Sequence, residues 1–361
     1  MGVGVSRAPL SEPPPKVLHV NDCAFVAEAL CAEAARRGLP WHAYLPKPAG
    51  AHPVLTFRRR IGELARFKAV TEEYDLLHVH YGLMSYYAKA AGKDFVLHLH
   101  GTDIRTAIDQ NPIYRKLVRW GLHNAARVYF STPDLAEATL RYRPDAQWLP
   151  APVSDAAEVS PGAAPSATSS GRDVHVLFGS RWDDIKGAAE LCGVARRLRE
   201  LRPELRLVTV GWGCAAARAA EVGIEVLPVM RHSEFRRLLA RVDLMVGQMR
   251  CGVLGVTELE ALAAGTPVVM RIETTDAYET APPVAGADAD SAAAVAVRVL
   301  ADLPLRSRVR REGPEWVHRF HGVERIASRL AVDYAALVGS PHHRPAVRHD
   351  EVDGRAIRPV R

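Results

Sequence analysis

Two glycine-bearing loops hold the residues best suited to chemistry. The first is Gly252-Val-Leu-Gly255-Val-Thr-Glu258-Leu-Glu260-Ala-Leu-Ala-Ala-Gly265-Thr-Pro-Val-Val-Met270. It reads as a glycine loop, a short alanine-rich helix, a terminating glycine and a buried-strand run. Glycine lets a ligand approach the backbone, and the helix start offers unpaired N–H groups, here of Val256 and Thr257, together with the positive end of a dipole. Such a start suits phosphate or diphosphate. Glu260 lies further along the same helix and can accept hydrogen bonds from a pair of hydroxyls, as on a ribose, so a nucleoside-diphosphate ligand is expected. The second loop is Gly179-Ser-Arg181-Trp-Asp-Asp-Ile-Lys186-Gly187, which places two cations between a strand and a helix.

Two further segments end strands in polar groups or glycines. In Phe95-Val-Leu-His98-Leu-His100-Gly101-Thr102-Asp103-Ile104-Arg105 the alternation of a strand puts His98 and His100 on one face, and His78 and His80 share a face in the same way. Paired His-x-His is also a metal-ligand pattern, but no third motif follows at metalloenzyme spacing, so no metal site is expected. Val208-Thr-Val-Gly211-Trp-Gly213 closes a strand with two glycines. Either a tight turn or a close approach to a nucleotide explains them. In Val20-Asn21-Asp22-Cys23-Ala24-Phe25, Asn21 and Asp22 are read first as caps of the next helix and second as contacts to a ligand. Cys23 reads as a packing residue.

The elements that must position these loops alternate from end to end. Strands are expected near Val17–Val20, His42–Leu45, Leu76–His80, Phe95–His100, Val128–Thr132 and Trp148–Pro150, with helices between them such as Ala24–Arg37 and Pro112–Asn124. After an Ala/Ser/Pro/Gly-rich linker at 154–173, a second series follows: Val174–Gly179, Leu205–Gly211, Glu225–Val229, Leu244–Gly247 and Pro267–Arg271. This predicts an α/β fold of two Rossmann-like domains, 16–153 and 174–303, facing a cleft at the carboxyl ends of their strands. Helices are expected over 304–339, with disordered tails at 1–15 and 340–361.

In motif order the chain, from Lys16 to Leu337, resembles the retaining family 4 glycosyltransferases of GT-B fold (glycosyl transferases group 1). The resemblance rests on Gly255 and on Glu260-Ala-Leu-Ala-Ala-Gly265-Thr-Pro-Val-Val269, together with Gly179-Ser-Arg181 and Lys186-Gly187. It implies that Arg181 and Lys186 hold a donor diphosphate, that Gly211, Gly255, Val256, Thr257 and Glu260 bind the nucleotide, and that His100 reaches the donor sugar. Asn21, Asp22, Asp103, Arg105 and Gly252 are further expected sugar or acceptor contacts. Gly252 stands where the family usually has an acid that touches the sugar. The Gly-Gly pair that many members carry in the first loop is likewise missing, and Tyr278 with Pro282-Pro283 reads as structural. The last helices, Val323–Leu337, are expected to cross back to the first domain. The implied activity is transfer of a sugar from a nucleotide-sugar to an acceptor hydroxyl with retention, without a metal or other cofactor, because fixed cations carry the leaving group's charge.

Composition fits this reading. The 361 residues are 48% hydrophobic and 24% charged with net charge +6, enough for two cores. Residues 1–150 carry 19 basic and 14 acidic side chains, leaving the rest near neutral. Arg58-Arg59-Arg60 with Arg66 and Lys68, and Arg115-Lys116 with Arg119 and Trp120, read as a solvated face or as a patch for an anionic membrane or acceptor. No nucleic-acid motif accompanies the charge, so nucleic acid is not an expected partner. Five scattered cysteines without C-x-x-C, no signal-like segment and no spanning apolar run point to a cytoplasmic protein, in peripheral contact with membrane at most. The acceptor is left open among a lipid-linked sugar, a polysaccharide and a small molecule. Three alternatives to transfer stand beside it: a related nucleotide-sugar 2-epimerase, a degenerate nucleotide-binding protein lacking the acid at Gly252, and a metallohydrolase built on the four histidines.

Overall fold

The computed structural model describes residues 13–47, 53–154 and 175–339. The expected tails and the linker at 154–173 fall almost wholly outside them. The first sheet contains β1 (Val17–Val20), β2 (Trp41–Tyr44), β3 (Leu76–His80), β4 (Phe95–Leu99), β5 (Arg127–Phe130) and β6 (Gln147–Trp148). All are parallel, in the order β2-β1-β3-β4-β5-β6. Helices α1 (Val26–Arg36), α2 (Pro53–Thr71), α3 (Ser85–Ala91), α4 (Ile108–Gln110), α5 (Pro112–Asn124) and α6 (Ala136–Leu140) lie between strands.

The second sheet contains β7 (His175–Phe178), β8 (Arg206–Val210), β9 (Glu225–Leu227), β10 (Leu244–Val246), β11 (Val268–Met270) and β12 (Ala285–Gly286). It is parallel with the order β9-β8-β7-β10-β11-β12. Helices α7 (Ala188–Leu201), α8 (Ala217–Glu221), α9 (His232–Leu239), α10 (Val256–Ala263) and α11 (Ala292–Ala301) cover it, and α12 (Leu303–His321) and α13 (Val323–Val338) end the described chain.

Strand order matters for function because it fixes where each sheet reverses direction. In an open parallel sheet, a crevice opens between the two strands whose connections leave to opposite sides. In the second sheet that point lies between β7 and β10, so the loops 179–187 and 247–255 flank one crevice. In the first sheet it lies between β1 and β3, flanked by the loops after Val20 and His80.

The expected strands are all present, with bounds within two residues of those expected. Two local features differ from expectation. α1 begins at Val26 because Ala24 and Phe25 take left-handed backbone, with φ of 55° and 62°. The short β12 was not expected; two residues give no periodicity to read.

Burial explains the layers. Alternate residues Leu18, Val20, Leu77, Val79, Leu97 and Leu99 pack against Phe67, Tyr87, Val118 and Leu122 on one face of the first sheet. On the other face Val17, Leu76 and Val96 meet Leu30 and Tyr334, from α1 and α13. α13 therefore crosses back onto the first domain, as expected. Its Asp333 accepts from Arg127 and Tyr129, Arg329 donates to the Trp148 carbonyl at 2.8 Å, and Arg37 donates to the Glu324 carbonyl at 2.7 Å.

The joint between the domains is sealed by His321, which is buried. Its Nδ1 donates to the Ala151 carbonyl at 2.9 Å, so its Nε2 accepts from the Tyr278 hydroxyl at 3.1 Å. Tyr278 also meets Trp148 edge-on, with ring centres 5.2 Å apart, which supports its structural reading. Burial depresses the His321 pKa to about 4, against the weaker raising effect of its carbonyl partner. The folded state keeps this ring neutral while an unfolded chain takes up a proton below about pH 6.5. The stabilisation is complete above pH 6.5 and is lost as pH falls towards 4. At pH 5 the loss amounts to about 2 kcal/mol. Urea unfolding at pH 7.5 and pH 5.0 is expected to show at least that loss, and equal midpoints would overturn the assignment.

Candidate active site

The crevice of the second sheet is built by three elements tied together from below. Glu258, in the first turn of α10, is buried and accepts from Ser180 Oγ, Gln248 N and Gly255 N, each at 3.0 Å. Gln248 is fully buried as well. Its amide oxygen accepts from Arg250 N at 2.9 Å and Cys251 N at 2.6 Å, and its amide nitrogen donates to Val253 O at 3.1 Å and Arg271 O at 2.8 Å. The Cys251 thiol faces the Ile185 carbonyl at 2.9 Å, and Met249 N donates to Lys186 O at 3.1 Å. Burial pushes the Cys251 thiol pKa up, opposed by the charges of Lys186 and Arg105. Glu258 and Gln248 thus fix both loops. Neither was singled out in the sequence, because their partners are backbone groups that no motif spells.

Lys186 carries the main functional observation. Its ammonium lies 3.4 Å from the point where a Cβ on Gly255 would stand, over the start of α10. Among the described residues it has no ion-pair partner. At that helix start the amides of Val256 and Thr257 are the first two of the orphan donors of a helix. A cation and a helix N-terminus therefore converge on one point of the crevice. Arg181 lies on the same loop, half-exposed, with its Nε paired to Asp183.

Glu260 is 7% exposed, and its Oε1 accepts from His232 Nε2 at 2.5 Å. The His232 ring in turn stacks on Phe25 of the first domain, with ring centres 3.9 Å apart and planes 4° from parallel. This contact spans the cleft, and no motif in either segment signals it.

Gly252 has φ of +67°, where a side chain is disfavoured, and a Cβ there would lie 2.7 Å from a carboxylate oxygen of Glu273. The positive φ favours glycine there, and the movable end of the Glu273 side chain brings a carboxylate beside it from another loop. At Gly211 a Cβ would face Val226 of β9 at 3.1 Å, a tight contact that a small shift of Val226 would relieve. At Gly213 a Cβ would meet the Trp182 carbonyl at 2.3 Å, which makes this pair of glycines a turn packed on loop 179–187.

The first domain presents its own crevice with strained backbone. Asn21, Ala24, Phe25 and Tyr81 are the non-glycine residues with positive φ among those described, and all flank the β1/β3 point. Such strain costs about 1–3 kcal/mol per residue and concentrates at functional sites. Asp22 caps α1, accepting from Ala27 N at 3.0 Å and Glu28 N at 3.4 Å, and Asn21 donates to the His80 carbonyl at 3.2 Å. The capping reading of Asp22 describes what is seen, and neither side chain is oriented as a free ligand contact.

Asp103 is a correction. It is fully buried and accepts from the backbone N–H groups of Gly82, His100, Gly101 and Ile104, at 2.8–3.2 Å. It folds the turn after β4 and has no face left for an acceptor; burial raises its pKa despite those four donors. Arg105 pairs with Asp134 at 2.6 Å. Both lie near enough to Cys251 of the second domain to act on its thiol, which places them at the cleft.

His100 is half-buried at the end of β4, and its Nε2 is 3.0 Å from His80 Nδ1. Behind it stand His98, His80, His78 and His19, all fully buried on one face of β1, β3 and β4. Burial holds His19 and His100 down to about 3, and keeps His78, His80 and His98 well below the usual value, so all five rings are neutral near pH 7.

Residues 173–302 match the model of the family Glycosyl transferases group 1. No curated protein matches the chain in sequence. HepE of Anabaena, solved in complex with UDP-glucose, aligns with TM-score 0.68 at 14% identity, covering 89% of this chain and 100% of its own. Sucrose-phosphate synthase of Thermosynechococcus elongatus aligns with TM-score 0.64 at 19% identity over 89% and 99%. A UDP-forming trehalose-phosphate synthase of Burkholderia xenovorans aligns with TM-score 0.64 at 11% identity over 90% and 100%. At these identities the likeness is one of fold. Among the described residues no helix is long and apolar enough to cross a membrane. The chain is thus similar to the glycosyl transferases group 1 through its second domain, and its two facing Rossmann-like domains have the GT-B fold.

Proposed function

We propose that the protein transfers a hexosyl group from a nucleoside-diphosphate sugar to an acceptor hydroxyl, with retention and without a metal at the diphosphate. The observation that carries this reading is the unpaired ammonium of Lys186 over the N-terminus of α10, at the reversal point of the second sheet. As the sugar–oxygen bond breaks, negative charge grows on the diphosphate. Lys186, Arg181 and the amides of Val256 and Thr257 stabilise it without reorganising. Glu260 takes the ribose hydroxyls once His232 is displaced. The family resemblance implies a short-lived oxocarbenium ion pair on one face of the sugar as the route to retention. The first domain binds the acceptor, with His100 and Arg105 at its edge. Solved neighbours of the same fold hold UDP with glucose or UDP-glucose, which supports a nucleotide-sugar donor. Five free thiols suit a reducing compartment, in keeping with a cytoplasmic enzyme.

The test is a thermal-shift screen of UDP, GDP, dTDP and ADP, with and without Mg²⁺, on wild type and Arg181→Ala. A ligand at 100 times its Kd stabilises by about 2.7 kcal/mol. A base-selective, metal-independent shift that is lost in the variant is expected. No shift with any nucleotide sinks the reading. NMR of the product with the selected donor reads the anomeric configuration, and an inverted product removes retention.

The Phe25–His232 stack gives a second expectation. It holds His232 on Glu260, so it competes with ribose. Aromatic pairs contribute about 0.5–1.5 kcal/mol. Phe25→Ala is therefore expected to tighten nucleotide binding about 2- to 10-fold by calorimetry. Weaker binding would mean that Phe25 touches the ligand itself.

A further inference from the structure

We propose that His80, His98 and His100 form a binding site for one divalent transition-metal ion of the zinc type, with His19 orienting His80. One ligand atom from each of the three rings lies within 4.8 Å of the others. The closest pair, His80 Nδ1 and His100 Nε2, is 3.0 Å apart. Two imidazoles on one tetrahedral zinc, at Zn–N of about 2.0–2.1 Å, have nitrogens about 3.3 Å apart. The pair therefore needs only a few tenths of an ångström of expansion, and a nitrogen of the third ring lies within 4.8 Å of both.

His98 supplies the independent observation. It is fully buried, yet neither ring nitrogen meets a hydrogen-bond partner in good geometry; a backbone group of Leu149 near the ring accounts for at most one of them. A buried imidazole nitrogen without a partner costs free energy, so such groups in native proteins have a reason to be there. Here the two neighbouring imidazoles of His80 and His100 point to a metal ion.

The tautomers are consistent with ligation. His80 Nε2 lies 3.0 Å from His19 Nδ1. With the proton on His80 Nε2 and donated to His19, the lone pair of His80 Nδ1 faces His100. This is the arrangement in which a ligating histidine donates its other N–H to a fixed partner. The sites differ in access: His19, His78 and His80 also cluster but are all fully buried, whereas His100 is half-buried at the strand end facing the cleft. An all-imidazole set suits zinc, cobalt, nickel or copper and disfavours magnesium or calcium. Three protein ligands leave a position for water. Occupied, the site engages His100, so the metal-free chain is the form that transfers.

The experiment titrates Co²⁺ and Zn²⁺ into the full chain, read by cobalt visible absorption and by zinc content after dialysis, with Mg²⁺ as a control. One ion per chain is expected, with an affinity lowered about 100-fold or more in His98→Gln and about 10- to 100-fold in His19→Gln. A retained circular dichroism spectrum and nucleotide-induced thermal shift in each variant establish that it is folded, and separate this result from the fate of the transfer reading. Equal binding by wild type and His98→Gln overturns the proposal. So does binding that is lost in His78→Gln and kept in His98→Gln, because that assigns the ion to the buried trio.

Discussion

Replacing Lys186 with alanine is expected to lower kcat/KM for the proposed transfer by about 10²–10³-fold, equivalent to about 2.7–4 kcal/mol of transition-state stabilisation. The size follows from geometry. The ammonium sits over the start of α10 with no ion-pair partner among the described residues, and the Glu258 carboxylate beside it is already held by three donors of its own. Arg181, by contrast, already shares its Nε with Asp183 and is half-exposed. Arg181→Ala is therefore expected to cost less than Lys186→Ala. Because Lys186 makes no side-chain bond that holds the fold, the variant's stability stays within about 0.5 kcal/mol of wild type. The measurement is steady-state kinetics with the selected donor beside nucleotide titration. Unchanged turnover and unchanged nucleotide affinity in Lys186→Ala would remove the diphosphate from this crevice.

Glu258→Ala is expected to have the largest effect on stability, a loss of about 3 kcal/mol. It strips the acceptor from three donors at once, Ser180 Oγ, Gln248 N and Gly255 N, in a place where the carboxylate is 2% exposed. Leaving a buried donor unsatisfied costs about 1–3 kcal/mol, and some of the three recover by relaxation or water. Glu258→Gln is expected to fall between: one amide oxygen still accepts, while the amide nitrogen faces an N–H group. Urea unfolding reads the stability. The same variants loosen both loops around Lys186, so nucleotide affinity is expected to fall with it. A stability loss under about 1 kcal/mol would show that the loops are held by other contacts.

Much of the chain's organisation was legible because its causes are local. Apolar runs of strand type separated by helical patterns gave both sheets, and the glycine loop running into an alanine-rich helix gave the start of α10 and Lys186's neighbourhood. Asn21 and Asp22 illustrate the limit. Their cap-forming types were readable, but the left-handed backbone at Asn21, Ala24 and Phe25 was not, since nothing in three non-glycine residues signals positive φ. Asp103 misled because His-Gly-x-Asp reads as a polar ligand set. Only the folded turn reveals four backbone N–H groups around one carboxylate.

The sequence by itself determined the α/β class, the two series of strands, the helix that offers its N-terminus and the cations Arg181 and Lys186 near it. Hydrophobic period, glycine and proline act within a few residues, and a linear reading captures them. Tertiary structure alone decided the strand order that makes β7 and β10 flank a crevice, the meeting of Glu258 with two loops, the Phe25–His232 stack on Glu260 and the gathering of five histidines from three strands. Each depends on which distant segments pair, a choice made by the packing of whole layers and the chirality of their crossovers.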